Sequence, residues 1–423
     1  MRLAPAFGLG ATLAACASAP YANSPLTASA DSARVRSDIA FLASDALEGR
    51  GTGTPGNDSA AAFAARRYAT LGLRPLSPGY LQPFEARSAM LAHAGGLAAV
   101  RTQNVVAFLP GSDPGLRGQT IVIGAHIDHL GRSPVSSLDP EAGDAIRNGA
   151  DDNASGSAAV LELARLFSAR PTRRSVLFVN FSGEELGLLG SQYFVEHSPV
   201  PIDSIVAMLN FDMVGRMRGD SVIVYGVATA RELPSILDSA NTAVRLHVRG
   251  IGDGFGPSDQ SSFFAKNIPV LHFFTNIHED YHRATDDVEK INAAGEARVI
   301  VLAERVVREI DIHPGRLTFV RAAAPPPMAA ARTGSNVYLG SIPDMAAPDL
   351  KGLRLTGVRA GSPADSAGLK AGDVVIEFDG KAVTDIETYS QALYSHQPGD
   401  LVDVVVLRGG ERVKLRVRLG RRG

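Results

Sequence analysis

The stretch SVLFVNFSGEELGLLG, residues 175–190, joins an apolar run to two adjacent glutamates, Glu184 and Glu185. A short apolar run that ends in turn residues is typical of a strand buried on both faces. Helical periodicity separates some of the runs, over 155–169 and again over 295–310. The other runs are NVVAFLP, TIVIGAHID, SIVAMLNFD, DSVIVYG and IPVLHFF. The pattern predicts an α/β domain with a mixed, largely parallel central sheet flanked by helices.

The size and charge of the chain narrow the classes of function. Its 423 residues are enough for a catalytic domain and a second, smaller domain. With 42 basic and 44 acidic residues the formal net charge is -2, so we expect no nucleic-acid partner and no charge-driven binding to membranes. The single cysteine, Cys16, excludes an intramolecular disulfide and a thiolate zinc cluster.

The N-terminus has the pattern of a bacterial lipoprotein signal. Arg2 precedes a short apolar segment that ends in Leu-Ala-Ala before Cys16. We predict a signal peptide over residues 1–15, lipidation of Cys16 and a linker over 16–30. The alternative is an ordinary secretory signal with an incidental cysteine. Both place the mature protein outside the cytoplasm, either lipid-anchored to the inner or outer membrane in the cell envelope or periplasm, or secreted.

Composition also divides the rest of the chain. RAAAPPPMAAARTGSN, residues 321–336, is too rich in proline and alanine to bury much surface and is typical of a linker. We therefore predict a first domain over 31–315, a linker over 316–336 and a small β-rich domain over 337–423. GRGTGTPG, residues 49–56, lacks the Gly-Lys-Ser/Thr ending of a phosphate-binding loop, and we interpret it as a turn.

Imidazole and carboxylate groups cluster where the predicted strands end. In open α/β sheets the carboxyl ends of the strands meet at one edge, so these groups should converge there. So many carboxylates repel one another unless cations lie between them, and this much charge indicates two cations. Histidine and carboxylate without cysteine suit Zn²⁺, with Mn²⁺ or Co²⁺ as substitutes. The groups are His126, Asp128, Asp151, Asp152, Glu184, Glu185, Asp212 and His282.

Local geometry assigns supporting roles and excludes other chemistries. His126 and Asp128 are two residues apart in a predicted strand, so Asp128 should accept the second ring N–H of His126. His129 should lie on the opposite face with a structural role. The chain has no G-x-S-x-G motif for a nucleophilic serine. Adjacent glutamates on one loop cannot readily flank a glycosidic bond.

Together the motifs resemble the co-catalytic di-zinc aminopeptidases, whose wider relatives include glutamate carboxypeptidase, the transferrin-receptor ectodomain and the glutaminyl cyclases. The resemblance covers about residues 36–311 and implies a zinc exopeptidase fold with two Zn²⁺ per chain. The motifs are LASDALEGRGTGTPG, GAHIDHLG, GADDNASG, FSGEELGLLGSQYF, NFDMVGR and PSDQSSFFAKNIPVLHFFTNIHEDYHRATDD.

The resemblance also implies the metal ligands. Asp152 would bridge the two zinc ions and would be followed by a cis peptide bond, with Asp151 as a neighbour that is not a ligand. His126 and Asp212 would complete one site. The ligands that would complete the other site are Glu185 and His282.

For catalysis, the resemblance implies a metal-bridging hydroxide with Glu184 as general base. Tyr281 would either stabilise the oxyanion or only pack. Gln260 stands where the family often has the histidine of Ser-Asp-His, so it is a candidate pocket residue that alters substrate preference. The implied function is an aminopeptidase acting on peptide N-termini. The alternatives are a mono-zinc acyltransferase resembling glutaminyl cyclase, which generally lacks a histidine at position 126, and a non-catalytic peptide-binding envelope protein.

Residues 337–420 resemble a bacterial PDZ domain. The motifs are YLGSIPD, GVRAGSPADSAGLKAGDVVIEFDGKAV, a helical IETYSQAL, and the strands LVDVVVLRGG and ERVKLRVRL. The resemblance implies capture of a peptide C-terminus along a sheet edge. The alternative is a docking module without a free peptide ligand. The implied capture loop comprises Tyr338, Leu339, Gly340 and Ser341.

Overall fold

The computed structural model describes most of the chain. The predicted signal peptide, Cys16 and residues 322–336 of the predicted linker lie outside the described residues. None of the described helices is long and apolar enough to cross a bilayer. The described residues are 29–88, 99–133, 136–137, 139, 142–256, 258–276, 278, 280–321, 337–343, 351–358, 361–384, 388–389, 392–393 and 395–421.

A nine-stranded mixed sheet forms the centre of the first domain. Its strands are β1 (Arg74–Pro75), β2 (Leu81–Ala86), β3 (Val100–Leu109), β4 (Thr120–His126), β5 (Ser175–Phe181), β6 (Ile205–Phe211), β7 (Ser221–Tyr225), β8 (His247–Ile251) and β9 (Val270–Phe274). The order is β1-β3-β5-β4-β6-β9-β7-β8, and β2 also pairs with β3. Strands β5, β4, β6 and β9 are parallel, while β3 and β7 pair antiparallel on either side of them. The predicted mixed, largely parallel sheet is confirmed.

Helices cover both faces of this sheet. They are α1 (Ser32–Leu42), α2 (Pro55–Thr70), α3 (Gly156–Ala169), α4 (Leu189–Glu196), α5 (Leu233–Val244), α6 (Gln260–Ala265) and α7 (Ala293–Ile312). Alternate residues of a strand point to opposite faces, so Ile121 and Ile123 join the core beneath α1, α3 and α7. Val122 faces the other core, where it joins Phe194 of α4 and Phe263 of α6. Every residue of β4, β5 and β6 is therefore buried, which explains their continuous apolar runs.

The chain stays packed on this domain beyond residue 315, where we predicted a linker. Leu317 is buried in the core, and Phe319 forms a bridge with Ala230. The Arg316 side chain donates to the carbonyl of Ile205. The predicted linker therefore begins too early, because its first residues carry apolar side chains that the domain buries.

The C-terminal domain has its own core, formed by residues between Val337 and Leu419. A five-stranded path runs β11-β12-β13-β15-β16, with β14 beside β13, while β10 pairs with β17. Strands β15 and β16 form a hairpin with Gly409 and Gly410 between them, both at positive φ, as a two-residue turn of this kind requires. The elements are β10 (Val337–Tyr338), β11 (Ser341–Pro343), β12 (Leu353–Val358), α8 (Pro363–Ser366), β13 (Val374–Phe378), β14 (Lys381–Ala382), β15 (Leu401–Arg408), β16 (Glu411–Arg418) and β17 (Gly420–Arg421).

Candidate metal centre

The carboxyl ends of the parallel strands bring the predicted ligands together. His126 is the last residue of β4, and Asp212 directly follows β6. Glu184 and Glu185 lie in the turn between β5 and α4. Asp152 lies in the irregular segment Ala150–Ser155 that leads into α3, and its own backbone is not helical. The strand ends thus determine where each side chain enters the site.

Asp152 stands between two histidines. Its Oδ1 is 3.4 Å from Nε2 of His126, and its Oδ2 is 3.2 Å from Nε2 of His282. Asp212 Oδ1 lies 3.5 Å from His126 Nε2, and Glu185 Oε2 lies 3.3 Å from His282 Nε2. The arrangement forms two neighbouring groups of ligand atoms that share one carboxylate.

The donor set suits zinc. Three groups of side chains each bring imidazole and carboxylate atoms within 4.8 Å of one another. The groups share members, and two of the three contain Asp152. These side chains are nearly or wholly buried, so their charges cannot be neutralised by water. Imidazole nitrogen and carboxylate oxygen without sulfur are typical ligands of zinc sites in enzymes. The residues present therefore fit the predicted metal.

Hydrogen bonds fix the segment that carries Asp152. The carboxylate of Asp286 accepts the backbone N–H groups of both Asp151 and Asp152. Asp151 directs its own carboxylate elsewhere, to the N–H of Gly215 at 2.7 Å and to the ring of His278 at 3.1 Å. Asp151 is thus a neighbour of the cluster, as the resemblance implied, and the peptide bond after Asp152 is cis.

Asp128 supports the site differently from our prediction. Strand β4 ends at His126, so the alternation of a strand does not extend to Asp128. The Nδ1 of His126 lies 3.1 Å from the backbone carbonyl of Asp128 and 3.9 Å from its carboxylate. That carboxylate accepts the hydroxyl of Thr52 at 2.7 Å and the N–H of Glu184 at 3.2 Å. Asp128 therefore orients His126 through its main chain and holds the glutamate turn through its side chain.

His129 belongs to the cluster, and our prediction that it lies on the opposite face is wrong. Its Nδ1 is 2.7 Å from Oε1 of Glu185 and 3.9 Å from Oδ1 of Asp152. The chain turns after His126, which brings this third imidazole back towards the metal ligands. A histidine three residues after a predicted ligand was the sequence signal that we interpreted as structural.

The adjacent glutamates differ in their electrostatic surroundings. Burial raises the pKa of Glu184 well above its usual range. Burial would also raise the pKa of Glu185, but His282 and His129 outweigh it and hold that pKa well below the usual range. Glu184 is therefore suited to hold a proton, and Glu185 to remain a charged ligand.

Tyr281 and Gln260 lie at different depths. The ring of Tyr281 stacks on His282 with centroids 3.9 Å apart, and burial raises the pKa of its hydroxyl, which stays protonated. Gln260 is fully buried, and its side-chain oxygen accepts from Asn210 at 3.2 Å. Gln260 thus lies buried in a polar layer with Asn210, which differs from our prediction that it lines a substrate pocket.

The predicted peptide-binding loop of the PDZ domain has mixed exposure. The Leu339 side chain is buried in the core, so only its main chain could face a ligand. Gly340 has φ +86°, and its Cα lies too close to Ser362 for a side chain. The hydroxyl of Ser341 hydrogen-bonds that of Tyr389. Tyr338 pairs with Gly420 in the short sheet of β10 and β17.

Sequence reasoning missed Arg50, which it placed in a turn. Arg50 is fully buried and donates to main-chain carbonyls on both sides of the site. An arginine inside a glycine-rich run before α2 was the only available signal, and three of its four carbonyl partners are 77 to 99 residues away along the chain.

Comparisons with known proteins agree with this site. Residues 104–307 match the model of peptidase family M28, and residues 335–419 match that of the PDZ domain. A probable zinc metalloprotease of Pyrenophora teres f. teres (strain 0-1) is 38% identical over 122 residues, which cover 29% of this chain and 24% of that protein. Aminopeptidase YwaD of Bacillus subtilis (strain 168) is 29% identical over 176 residues, 38% of each chain.

Solved structures share the fold of the first domain. The aminopeptidase from Aneurinibacillus sp. strain AM-1 superposes with a TM-score of 0.54 at 18% identity, covering 69% of this chain and 96% of that one. Among the curated relatives, by contrast, the chain spans about a quarter to a half of the length of the proteins that it matches.

Proposed function

We propose that the chain is a zinc-dependent aminopeptidase that removes amino acids from peptide N-termini, because residues 104–307 match the model of peptidase family M28. Asp152 carries the proposal, since its two carboxylate oxygens each face a different histidine, His126 and His282. This is the arrangement that a carboxylate bridging two metal ions needs.

Two zinc ions would share Asp152. His126 and Asp212 would complete the first site, and Glu185 and His282 the second. When bound, zinc supplies Lewis acidity to the attacking water and to the scissile carbonyl.

The chain's own residues would move the protons. Glu184 takes a proton from the attacking water and returns it to the leaving amine, a role that its raised pKa supports. Glu185 stays ionised because the two neighbouring imidazoles stabilise its charge. The hydroxyl of Tyr281, which stays protonated, donates to the oxyanion of the tetrahedral intermediate.

The accessible edge of the site favours a free amino terminus. The side chains of Glu184, Asp212 and His282 are 11%, 13% and 13% exposed, so a substrate approaching the cluster meets two carboxylates and one imidazole. Negative charge at that edge attracts the α-ammonium group of a peptide and disfavours a blocked terminus.

A panel of aminoacyl-aminomethylcoumarins, assayed with zinc supplied, tests the proposal. Wild type should release the fluorophore from free aminoacyl substrates and spare their N-acetylated forms. Glu184→Gln should keep its zinc and lose roughly 10²- to 10⁴-fold in kcat, because only the proton acceptor is removed. Cleavage of blocked peptides with no release from free ones would contradict an aminopeptidase.

Zinc stoichiometry separates the proposal from a mono-zinc cyclase-like enzyme. We expect two zinc ions per chain, and the loss of one in His126→Ala. A single tightly bound zinc in wild type, together with cyclisation of N-terminal glutamine, would favour the cyclase. Binding of peptides without turnover would favour a non-catalytic envelope protein.

We further propose that the PDZ domain captures a peptide C-terminus at the loop of Leu339 and Gly340, and that the protein is anchored to the cell envelope through a lipid on Cys16. Fluorescence polarisation with C-terminally free and amidated peptides tests the first proposal. Mass spectrometry of the mature N-terminus tests the second.

A further inference from the structure

Arg50 is a buried cation whose guanidinium donates to main-chain oxygens. It is fully buried at the end of the 3-10 segment Asp45–Arg50. Its Nε donates to Ile127 O at 2.9 Å, and its Nη2 donates to Gly149 O at 2.9 Å. Its Nη1 donates to Leu42 O at 2.5 Å and to Asn148 O at 2.6 Å. One guanidinium therefore donates to four main-chain carbonyls, of which that of Gly149 also accepts the N–H of Ala154.

Three of these carbonyls belong to the two loops that carry metal ligands, and the fourth, that of Leu42, lies at the end of α1. Ile127 directly follows His126, and Gly149 lies three residues before Asp152. The main chain of Arg50 adds another link, since its carbonyl accepts the N–H of His129 at 3.3 Å. The planar fork of the guanidinium can hold both loops at one distance, which a single ammonium group cannot do.

The backbone is shaped to direct this side chain inward. Glu48, Gly49 and Arg50 are consecutive residues with φ of 46°, 69° and 51°. At Gly49 a side chain would lie 2.3 Å from the carbonyl of Arg147, so only glycine fits. Two non-glycine residues in left-handed conformation are costly, and such strain persists where the surrounding structure requires it.

Arg50 also places a positive charge behind the carboxylates. Burial lowers its pKa to about 10, which leaves it charged at neutral pH, and the carboxylates of Asp152, Asp128, Asp286 and Glu185 stabilise that charge. None of these carboxylates is among its hydrogen-bond partners. Its charge thus acts on the cluster as a whole and leaves every carboxylate available to metal.

We infer that Arg50 is a positioning residue for metal binding, which sets the spacing between the His126 and Asp152 loops and offsets the charge of the ligand carboxylates. The inference rests on the metal centre of the proposed function and does not depend on which peptides are cleaved.

Arg174 provides a matched control. It too is buried, and it donates to four main-chain carbonyls, those of Ile310, Asp311, His313 and Gly315. It directly precedes β5, however, so it lies at the amino end of a strand whose carboxyl end leads to Glu184 and Glu185. Seven residues of strand, about 20 Å, separate Arg174 from the ligand end.

The test compares Arg50→Lys, Arg50→Met and Arg174→Lys in the full chain. Zinc affinity is measured by competition with a fluorescent chelator, at a temperature where circular dichroism shows each variant folded. Arg50→Lys keeps the charge and loses the fork, and we expect zinc binding roughly 10- to 100-fold weaker, as for other groups that orient metal ligands. Arg50→Met should bind zinc more weakly still. Arg174→Lys should lose thermal stability but bind zinc within about twofold of wild type.

Other outcomes would overturn the inference. Equal zinc affinity in Arg50→Lys and wild type would exclude a role in metal binding, and equal weakening in Arg174→Lys would assign the effect to general destabilisation. Failure of both Arg50 variants to fold while Arg174→Lys folds would make Arg50 a folding residue. Wild type that binds no zinc would instead refute the proposed metal centre.

Discussion

The two ends of the parallel strands differ in how their polar groups are paired. At the amino ends, the Arg174 side chain donates to five acceptors, and Asp311 accepts the N–H groups of Arg173 and Arg174. At the carboxyl ends, carboxylates and imidazoles crowd together. Among the described residues, buried atoms without a partner lie on His129, Asn210 and Asp286 near that end, whereas Arg174 and Asp311 have none.

The difference shows which end serves the fold and which serves the site. Fully paired buried groups stabilise a fold, whereas partly satisfied networks cost free energy and need a reason to persist. Among the described residues, left-handed non-glycine residues are more numerous on the loops beyond the carboxyl ends, at Leu188, Met213 and His282, than before the parallel strands, where Asn267 is one. The carboxyl ends are therefore organised for a ligand, at a cost that the rest of the domain offsets.

The largest expected effect separates Glu185 from Asp311. Glu185→Ala removes a predicted ligand and the acceptor of both His129 and His282, so it should lose at least one zinc and roughly 10³-fold or more in turnover. Asp311→Ala leaves one buried and one partly buried N–H group without acceptors and should lower the free energy of unfolding by about 3 kcal/mol. Its zinc content should not change. Elemental analysis, coumarin release and urea unfolding measure the three quantities.

Equal loss of zinc in the two variants would erase the distinction between the ends. Glu184→Gln serves as the control for charge, because it alters the neighbouring glutamate and should retain both metals. If Glu184→Gln loses as much zinc as Glu185→Ala, the separate roles of the two glutamates are wrong.

A somewhat smaller effect should follow the removal of zinc. A ligand at a hundredfold excess over its Kd stabilises the folded state by about 3 kcal/mol, so a chelator should lower the stability of wild type by about that amount. Chelator should lower the stability of Asp311→Ala by the same amount, although this variant is less stable at the start. In Glu185→Ala the chelator should lower the stability by less than half of that amount. The chain has no tryptophan, so circular dichroism follows the unfolding. An undiminished chelator effect in Glu185→Ala would mean that zinc stabilises the protein elsewhere.

The sequence predicted the central strands well because burial on both faces leaves a plain signal. All residues of β4, β5 and β6 are buried, so each strand is a continuous apolar run. The edge strand β2, residues 81–86, was not predicted, since it alternates between buried and exposed residues and contains Pro83. Helix α5, residues 233–244, was missed as well, because only four of its residues are buried.

Positions at strand ends were predictable, whereas side-chain directions in the turns were not. His126, Asp152 and Asp212 meet because the topology brings their strand and helix ends together. The contacts of His129 and Arg50 depend on a turn after β4 and on left-handed residues, which a period of two or 3.6 does not encode. The predicted ligands therefore came together, while the groups that hold them needed the structure.

The smallest expected effect concerns Asp38, a buried acid of α1 that contacts Arg67 at 2.8 Å. Burial raises the pKa of Asp38 from 3.8 to about 6 even though Arg67 opposes it. A raised folded-state pKa contributes stability that is full below about pH 4 and is lost as the pH rises through 6. Wild type should therefore lose about 2 kcal/mol relative to Asp38→Asn between pH 4 and pH 7. Urea unfolding of both proteins with chelator present measures this, and Asp238→Asn, at an exposed acid of α5, corrects for the removal of one charge. If the stabilities of wild type and Asp38→Asn change equally between pH 4 and pH 7, ionising a buried carboxylate beside one cation costs no stability. The crowded carboxylates at the strand ends would then need no metal to be tolerated.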